Sequence, residues 1–426
     1  MSWSLPFSGC VARLRPQAKR PLCGGPARAN CFHAVREASI ALALSAALAI
    51  IAGVTTGCRR TNDPLPQITE KPMTPANAVG VVREGPRTWI AGLEKIEWGN
   101  ASLYQNSMIA VLTFAQQVAG DEADYVDLMG KSGLAFRLQV FQPDGCPSSP
   151  HACCGFDCWE QALWACGRQV ETFDTGKGDA DVIEKARAAI VASIDRGWSV
   201  IYASEEGGLV AGYVDGGKQL LVRPYSPKTQ GYITTEKWPW TILVLSPQKT
   251  PPPQKDVLVN SLRLAVTLWQ TPSFEKYASG EAAYDAWAKQ LEDDQRFQVL
   301  DPKALWGVCL ANGFTYGSLE HARQFAVQYL RSIKGAFSPE AAGHLRKAAD
   351  FYEKSHETIA AARADVKCPW SLLPWDLKGG AAWTAGMRHT QAAVLREMAG
   401  YDKEAVAEIQ LALRAEGISE AHGKVH

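Results

Sequence analysis

Between Cys146 and Cys158 the chain reads CPSSPHACCGFDC, with Cys166 following at the end of CWEQALWACG. Residues of these types at this spacing suit four kinds of chemistry. A structural zinc needs four ligands, usually as two short paired spacings. Cys154 and Cys158 supply one pair, and Cys146, His151, Cys153 or Cys166 would complete the set. A separate second pair is missing, and adjacent Cys153 and Cys154 fit a tetrahedron badly. A thiol nucleophile needs a base and a lowered pKa. Cys158 heads a helix, His151 is within reach in sequence, and Asp157 or Asp174 would orient the base. The third chemistry is disulfide bonding, and the fourth is none, since a buried thiol is commonly inert.

The choice depends on compartment. Residues 1–57 carry six basic side chains (Arg13, Arg15, Lys19, Arg20, Arg28, Arg36) and one acid, Glu37. The uncharged run ASIALALSAALAIIAGV, Ala38 to Val54, then leads to TTGC ending at Cys58. A basic region, an apolar core and small residues before a cut site describe a secretory signal. The ending resembles a bacterial lipobox, which implies cleavage before Cys58 and acylation of its sulfur; the rival is an uncleaved N-terminal anchor. Either way the rest is expected outside the cytoplasm, in a bacterial cell envelope and tethered to a membrane. Disulfides persist there, and seven cysteines remain as candidates: Cys146, Cys153, Cys154, Cys158, Cys166, Cys309 and Cys368. An odd number leaves at least one outside any internal pair. At least one bond within 146–166 is expected.

Without residues 1–57 the chain keeps 38 basic against 43 acidic residues, net −5, and no Lys/Arg-rich run. Phosphate backbones bind clustered positive charge, so nucleic acid is not an expected partner.

Proline punctuation sets the expected boundaries. Residues 58–85 read as a flexible tether, and the run at 249–256 as a Pro-rich linker. Between them, 86–248 alternates helix and strand signals. NSMIAVLTFAQQVAG is a helix closed by Gly120, LAFRLQVF alternates like a strand, and DADVIEKARAAIVASIDRG is an amphipathic helix stopped by Gly197. GGLVAGYVDGGKQLLVRPY is a hairpin turning at Asp215-Gly216-Gly217. This is an α+β order, one helix and then an antiparallel sheet. Residues 257–418 carry the 3.6-residue period throughout and predict an all-α bundle of five to seven helices.

Three stretches carry a family resemblance: NSMIAVLTFAQQVAGDEADYVDLMGKSGLAFRL, ARAAIVASIDRGWSVIY and GGLVAGYVDGGKQLLVRPY. Together they resemble a papain-like domain, nearest to the butirosin biosynthesis protein H N-terminal family and double-glycine-type peptidases. The resemblance implies a nucleophilic cysteine at the start of the first helix and a histidine before the strand ending in GY. Here Asn106 and Ser107 stand at the first position, and Glu205, Glu206, Gly207 and Gly208 before the second. The usual Cys-His pair is not evident. The expected activity is therefore binding without cleavage, of a peptide or small amide-containing ligand, by Asn106, Ser107, Glu205, Glu206 and Tyr213. A thiol hydrolase or acyltransferase using Cys158 and His151 is the rival, and a scaffold acting through the helical domain is the third reading.

Other features read as structural. Among the 14 tryptophans, Trp269, Trp287, Trp306, Trp370, Trp375 and Trp383 read as core rather than as a ligand platform. No G-x-x-x-x-G-K-[ST] run follows a strand. No cofactor and no metal are expected.

Overall fold

The computed structural model describes residues 80–95, 107–142, 145–204, 207–225, 231–364 and 382–418. The leader, Cys58 and most of the tether lie outside the described residues. The architecture is mixed: an antiparallel sheet region followed by a helical C-terminal region.

Two compact units form, each from two separate stretches of chain. The first takes its described residues from 80–95 and 172–244, the second from 107–171 and 245–418. A single cut at the proline run does not reproduce this division. Regular structure also begins at Val81, ahead of the expected boundary at 86.

The first unit is built on a sheet. Its strands are β1 (Val81–Glu84), β2 (Arg87–Ile90), β4 (Val170–Asp174, which begins just before the unit's second stretch), β5 (Val200–Ala203), β6 (Gly208–Val214), β7 (Gln219–Pro224), β8 (Ile233–Thr235) and β9 (Thr241–Leu245). They run in the order β1-β2-β6-β5-β9-β4, with β7 on β6 and β8 on β7. Along one edge β6 pairs with β5 through Gly208–Val210 and then with β2 through Gly212–Val214. The other edge pairs with β7, with a register shift between Val210 and Gly212. The handover needs a glycine: a Cβ on Gly212 would lie 2.5 Å from the Thr88 carbonyl oxygen. The hairpin turns at Asp215–Gly217, where the sequence places it.

In the second unit α1 (Ser107–Val118), α2 (Tyr125–Lys131) and α3 (Cys158–Cys166) join the C-terminal helices. These are α5 (Gln254–Gln270), α6 (Gly280–Glu292), α7 (Asp294–Val299), α8 (Pro302–Ile333), α9 (Pro339–Ala364) and α10 (Ala385–Ala415). The remaining helix, α4 (Ala180–Asp195), belongs to the first unit, capped by Asp179 through the amides of Asp181 and Val182. A small sheet, β10 (Ser273–Phe274), β11 (Tyr277–Ser279) and β3 (Gln139–Phe141), also lies in the second unit. Gly130 on α2 meets α8 so closely that a Cβ would lie 2.1 Å from the Tyr329 ring. One hydrophobic core cluster gathers Leu138, Val140, Tyr284, Trp287, Cys309, Tyr316, Leu395 and Met398.

The proline run is strapped down within this unit. Arg168, 5% exposed, grips Asp121 with two nitrogens at 2.9 and 3.0 Å and donates to the carbonyls of Ser246 and Pro247. Lys249 reaches Asp121 at 3.1 Å, and the Thr250 amide donates to the Gly167 carbonyl. A run that composition marks as a linker is thus part of a packed body.

Candidate functional site

The cysteine-rich loop is folded around two buried polar side chains from the segment just before it. Successive turns, Ser149 N–H to Cys146 O, His151 N–H to Ser148 O and Cys154 N–H to His151 O, leave several carbonyls pointing inward. A guanidinium is donor-only and offers five N–H groups in a fixed fork, which suits converging carbonyls. Arg137 donates to the carbonyls of Pro150 and His151 at 2.8 Å, Phe156 at 2.9 Å and Cys154 at 3.2 Å. Gln139 adds bonds to Ser149 O at 2.8 Å and Cys154 O at 2.6 Å. Gly155, at φ 64°, lets the loop approach: a Cβ there would sit 2.4 Å from the Gln139 side-chain oxygen. The alternation in LAFRLQVF, which holds Arg137 and Gln139, predicts a strand. Instead only Gln139–Phe141 is strand, and both polar residues are buried beneath the loop.

This packing acts against thiol chemistry. Cys158 starts α3, whose Asp157 cap accepts from Glu160 N–H, and its side chain is wholly buried. Burial pushes its pKa up to about 11, despite the opposing pull of the nearby Arg137 guanidinium. His151 moves the other way: burial first, and Arg137 second, lower it to about 4. Its Nδ1 accepts from the Cys153 amide at 3.3 Å. A thiolate–imidazolium pair is therefore disfavoured from both ends.

Cys146, Cys153, Cys154, Cys158, Cys166 and Cys309 stand as thiols in this structure, and Cys368 lies outside the described residues. Cys158 and Cys166 occupy opposite ends of one helix, about 12 Å apart at 1.5 Å rise per residue. A disulfide spans less than about 7 Å between Cα atoms, so these two cannot join each other. Among the described residues no group of three or more His, Cys, Asp or Glu is placed to hold a metal ion.

Of the residues expected to bind a ligand, Ser107 and Tyr213 lie among the described residues. Asn106, Glu205 and Glu206 lie outside the described residues. Ser107 begins α1 in the second unit, while Tyr213 lies on β6 in the first. The Tyr213 hydroxyl donates to Asp195 at 3.0 Å, and that carboxylate also pairs with Arg83 at 2.9 Å.

A cleft lies in the second unit, and the sequence reading assigned its aromatic residues to the core alone. Its interior volume is about 20 Å³, room for about one water molecule. Val140 on β3 and Gly145, next to Cys146, form one wall, so the loop held by Arg137 and Gln139 helps to shape it. Trp287 and Leu291 on α6, Phe297 on α7 and Trp383 supply aromatic and apolar surface. From α8 come Ala311, Asn312 and Thr315. Asn312 is 5% exposed. The Trp287 indole N–H can only donate, so the group accepting from it at 3.0 Å is the Asn312 side-chain oxygen. The Asn312 amide nitrogen is then left with no hydrogen-bond partner among the described residues. Behind the cleft, Trp383 donates to the Gln391 oxygen at 3.1 Å, and the Gln391 nitrogen is likewise unpartnered. Among the described lining residues none carries a carboxylate, and Arg296 is one of them. The two tryptophans are indeed core residues, and they also present surface to the cleft. In sequence the available signal was Asn312 itself, a polar residue inside LWGVCLANGFTYGSL.

Comparison with protein-family models and with curated proteins gives no match for this chain.

Proposed function

We propose that the protein is an envelope-anchored binding protein of papain-like ancestry that does not use thiol catalysis. The observation carrying the non-catalytic part is the loop around Arg137, where Cys158 is sealed from solvent with a raised pKa and His151 has a lowered one. The papain-like part rests on the sequence resemblance and the antiparallel β6–β7 hairpin, although β1 and β2 of the same sheet precede α1. The ligand-binding part rests on the family resemblance of the sequence; the cleft of the second unit, at about 20 Å³, has room for about one water molecule.

A thiol pKa raised from 9.0 to about 11 lowers the thiolate fraction near pH 8 by about 100-fold. Cys158 in the native protein is therefore expected to resist iodoacetamide and cysteine-directed hydrolase probes, and to react only on denaturation. Peptide mapping by mass spectrometry reads the result. Rapid native labelling at Cys158 that disappears in His151→Ala would replace this reading with the thiol hydrolase.

The anchor rests on the lipobox-like TTGC. Cells expressing the full chain should incorporate a palmitate analogue into it, and Cys58→Ala should remove the label. A variant labelled as strongly as wild type rules out acylation at that position.

A further inference from the structure

The cysteine-rich loop carries one imidazole, His151, and the bonds around it fit the neutral ring. An amide N–H can only donate, so the Cys153 amide, 3.3 Å from Nδ1, fixes Nδ1 as the bare nitrogen and leaves the ring proton on Nε2. A second proton must therefore enter at Nδ1. There it turns an acceptor into a donor that faces a donor. It also sets a cation beside the Arg137 guanidinium, the charged group that acts on this ring. Arg137 is pinned at the carbonyls of Pro150, His151, Cys154 and Phe156, and an arginine does not give up its charge. Among the described residues, β3 meets the loop with Gln139, β10 with Phe274 and α8 with Ala311, none of them titratable. Asp157 caps α3 through the Glu160 amide and acts on Cys158.

His151 is tied to the rest of the loop through its backbone. Its carbonyl accepts from Arg137 at 2.8 Å and from the Cys154 amide at 3.1 Å. The next carbonyl, of Ala152, accepts from the Cys158 amide at 2.9 Å. A ring that swings out draws on the same bonds that seal Cys153, Cys154 and Cys158, which are 7%, 1% and 0% exposed. We propose that His151 is an acid-sensitive latch: proton uptake at Nδ1 turns the ring out and opens the loop 146–158, bringing the three buried thiols within reach of solvent.

The direction follows from linkage. In the closed loop the ring takes its second proton only at about pH 4, against 6.5 for a free imidazole. Closure is thus fully favoured above pH 6.5, and that advantage is lost as pH falls from 6.5 towards 4. Between about pH 7.5 and pH 5 the ratio of open to closed loop should rise about 30-fold.

Hydrogen exchange of the full chain, read by mass spectrometry and corrected for the intrinsic rate at each pH, measures this ratio for the amides of 146–158. The loop should show the rise of about 30-fold and exchange ahead of α8. A pyridyl disulfide, which reacts with thiols in acid, should reach Cys153, Cys154 and Cys158 faster at the lower pH when scaled to its rate with glutathione. His151→Asn keeps an acceptor close to the position of Nδ1 but does not titrate, so its loop should change by less than about threefold over the same range. His321→Asn removes another histidine of the same unit and should leave the loop response intact. No rise in the wild type, a rise that survives in folded His151→Asn, or one that vanishes in His321→Asn overturns the proposal. Loop amides that exchange only together with α8 at the lower pH overturn it as well, and that comparison needs no variant if His151→Asn fails to fold.

Discussion

Replacing Arg137 with methionine is expected to destabilise the second unit by about 3–5 kcal/mol, the upper range for one substitution. Methionine keeps much of the volume but none of the donors. Four loop carbonyls, those of Pro150, His151, Cys154 and Phe156, then lose a charge-assisted bond inside the protein. Each such bond contributes about 1.5–3 kcal/mol, partly recovered if water enters. Lysine should rescue little, because a compact ammonium cannot span the positions that the planar fork reaches. Urea titration of the full chain, following native protection of Cys158, measures the effect directly. Loss of under 1 kcal/mol would mean that the loop is held by its own turns.

A comparable loss is expected from Asp402→Leu, for a different reason. Arg323 on α8 and Asp402 on α10 are almost wholly buried and meet at 2.6–2.8 Å. Tyr284 on α6 donates to the same carboxylate oxygen at 2.7 Å, and Arg323 also reaches the Ala135 carbonyl at 3.1 Å. Removing the carboxylate strands a buried guanidinium, which costs about 3–5 kcal/mol. For a body of this size that is roughly a 10 °C drop in melting temperature. The double change Arg323→Met with Asp402→Leu removes both charges and should recover most of the loss. A double variant as unstable as the sum of the singles would show that packing around the pair, rather than the stranded charge, sets the cost.

How much of this was legible depended on whether local pattern and tertiary environment agreed. They agree in α4, where an Asp179 cap, one apolar face and Gly197 mark both ends. They agree again at Asp215–Gly217, whose turn residues adopt positive φ between two apolar strands. They part in LAFRLQVF, because alternation says which residues share a side but not that both sides are buried. They part again at Met398-Ala399-Gly400-Tyr401-Asp402. There the sequence suggests a break between two helices, while α10 runs unbroken from Ala385 to Ala415, with Asp402 held by Arg323 and Tyr284. A glycine weakens a helix by only about 1 kcal/mol, less than the buried network contributes. The cleft was hidden for a related reason. Asn312 lies within the 32-residue helix α8, and the direction of its amide is set by a tryptophan 25 positions earlier.

The interleaving of the two units along the sequence has a consequence for synthesis. Helices α1 to α3 leave the ribosome long before α8, whose Tyr329 ring lies against Gly130 of α2. At ordinary elongation rates that interval is on the order of ten seconds. During it the sheet of the first unit can close, since all its strands precede Ser246, while the early helices wait with their apolar faces uncovered. A nascent chain interrupted near the proline run would carry one finished body and one exposed surface, a natural substrate for chaperones and proteases.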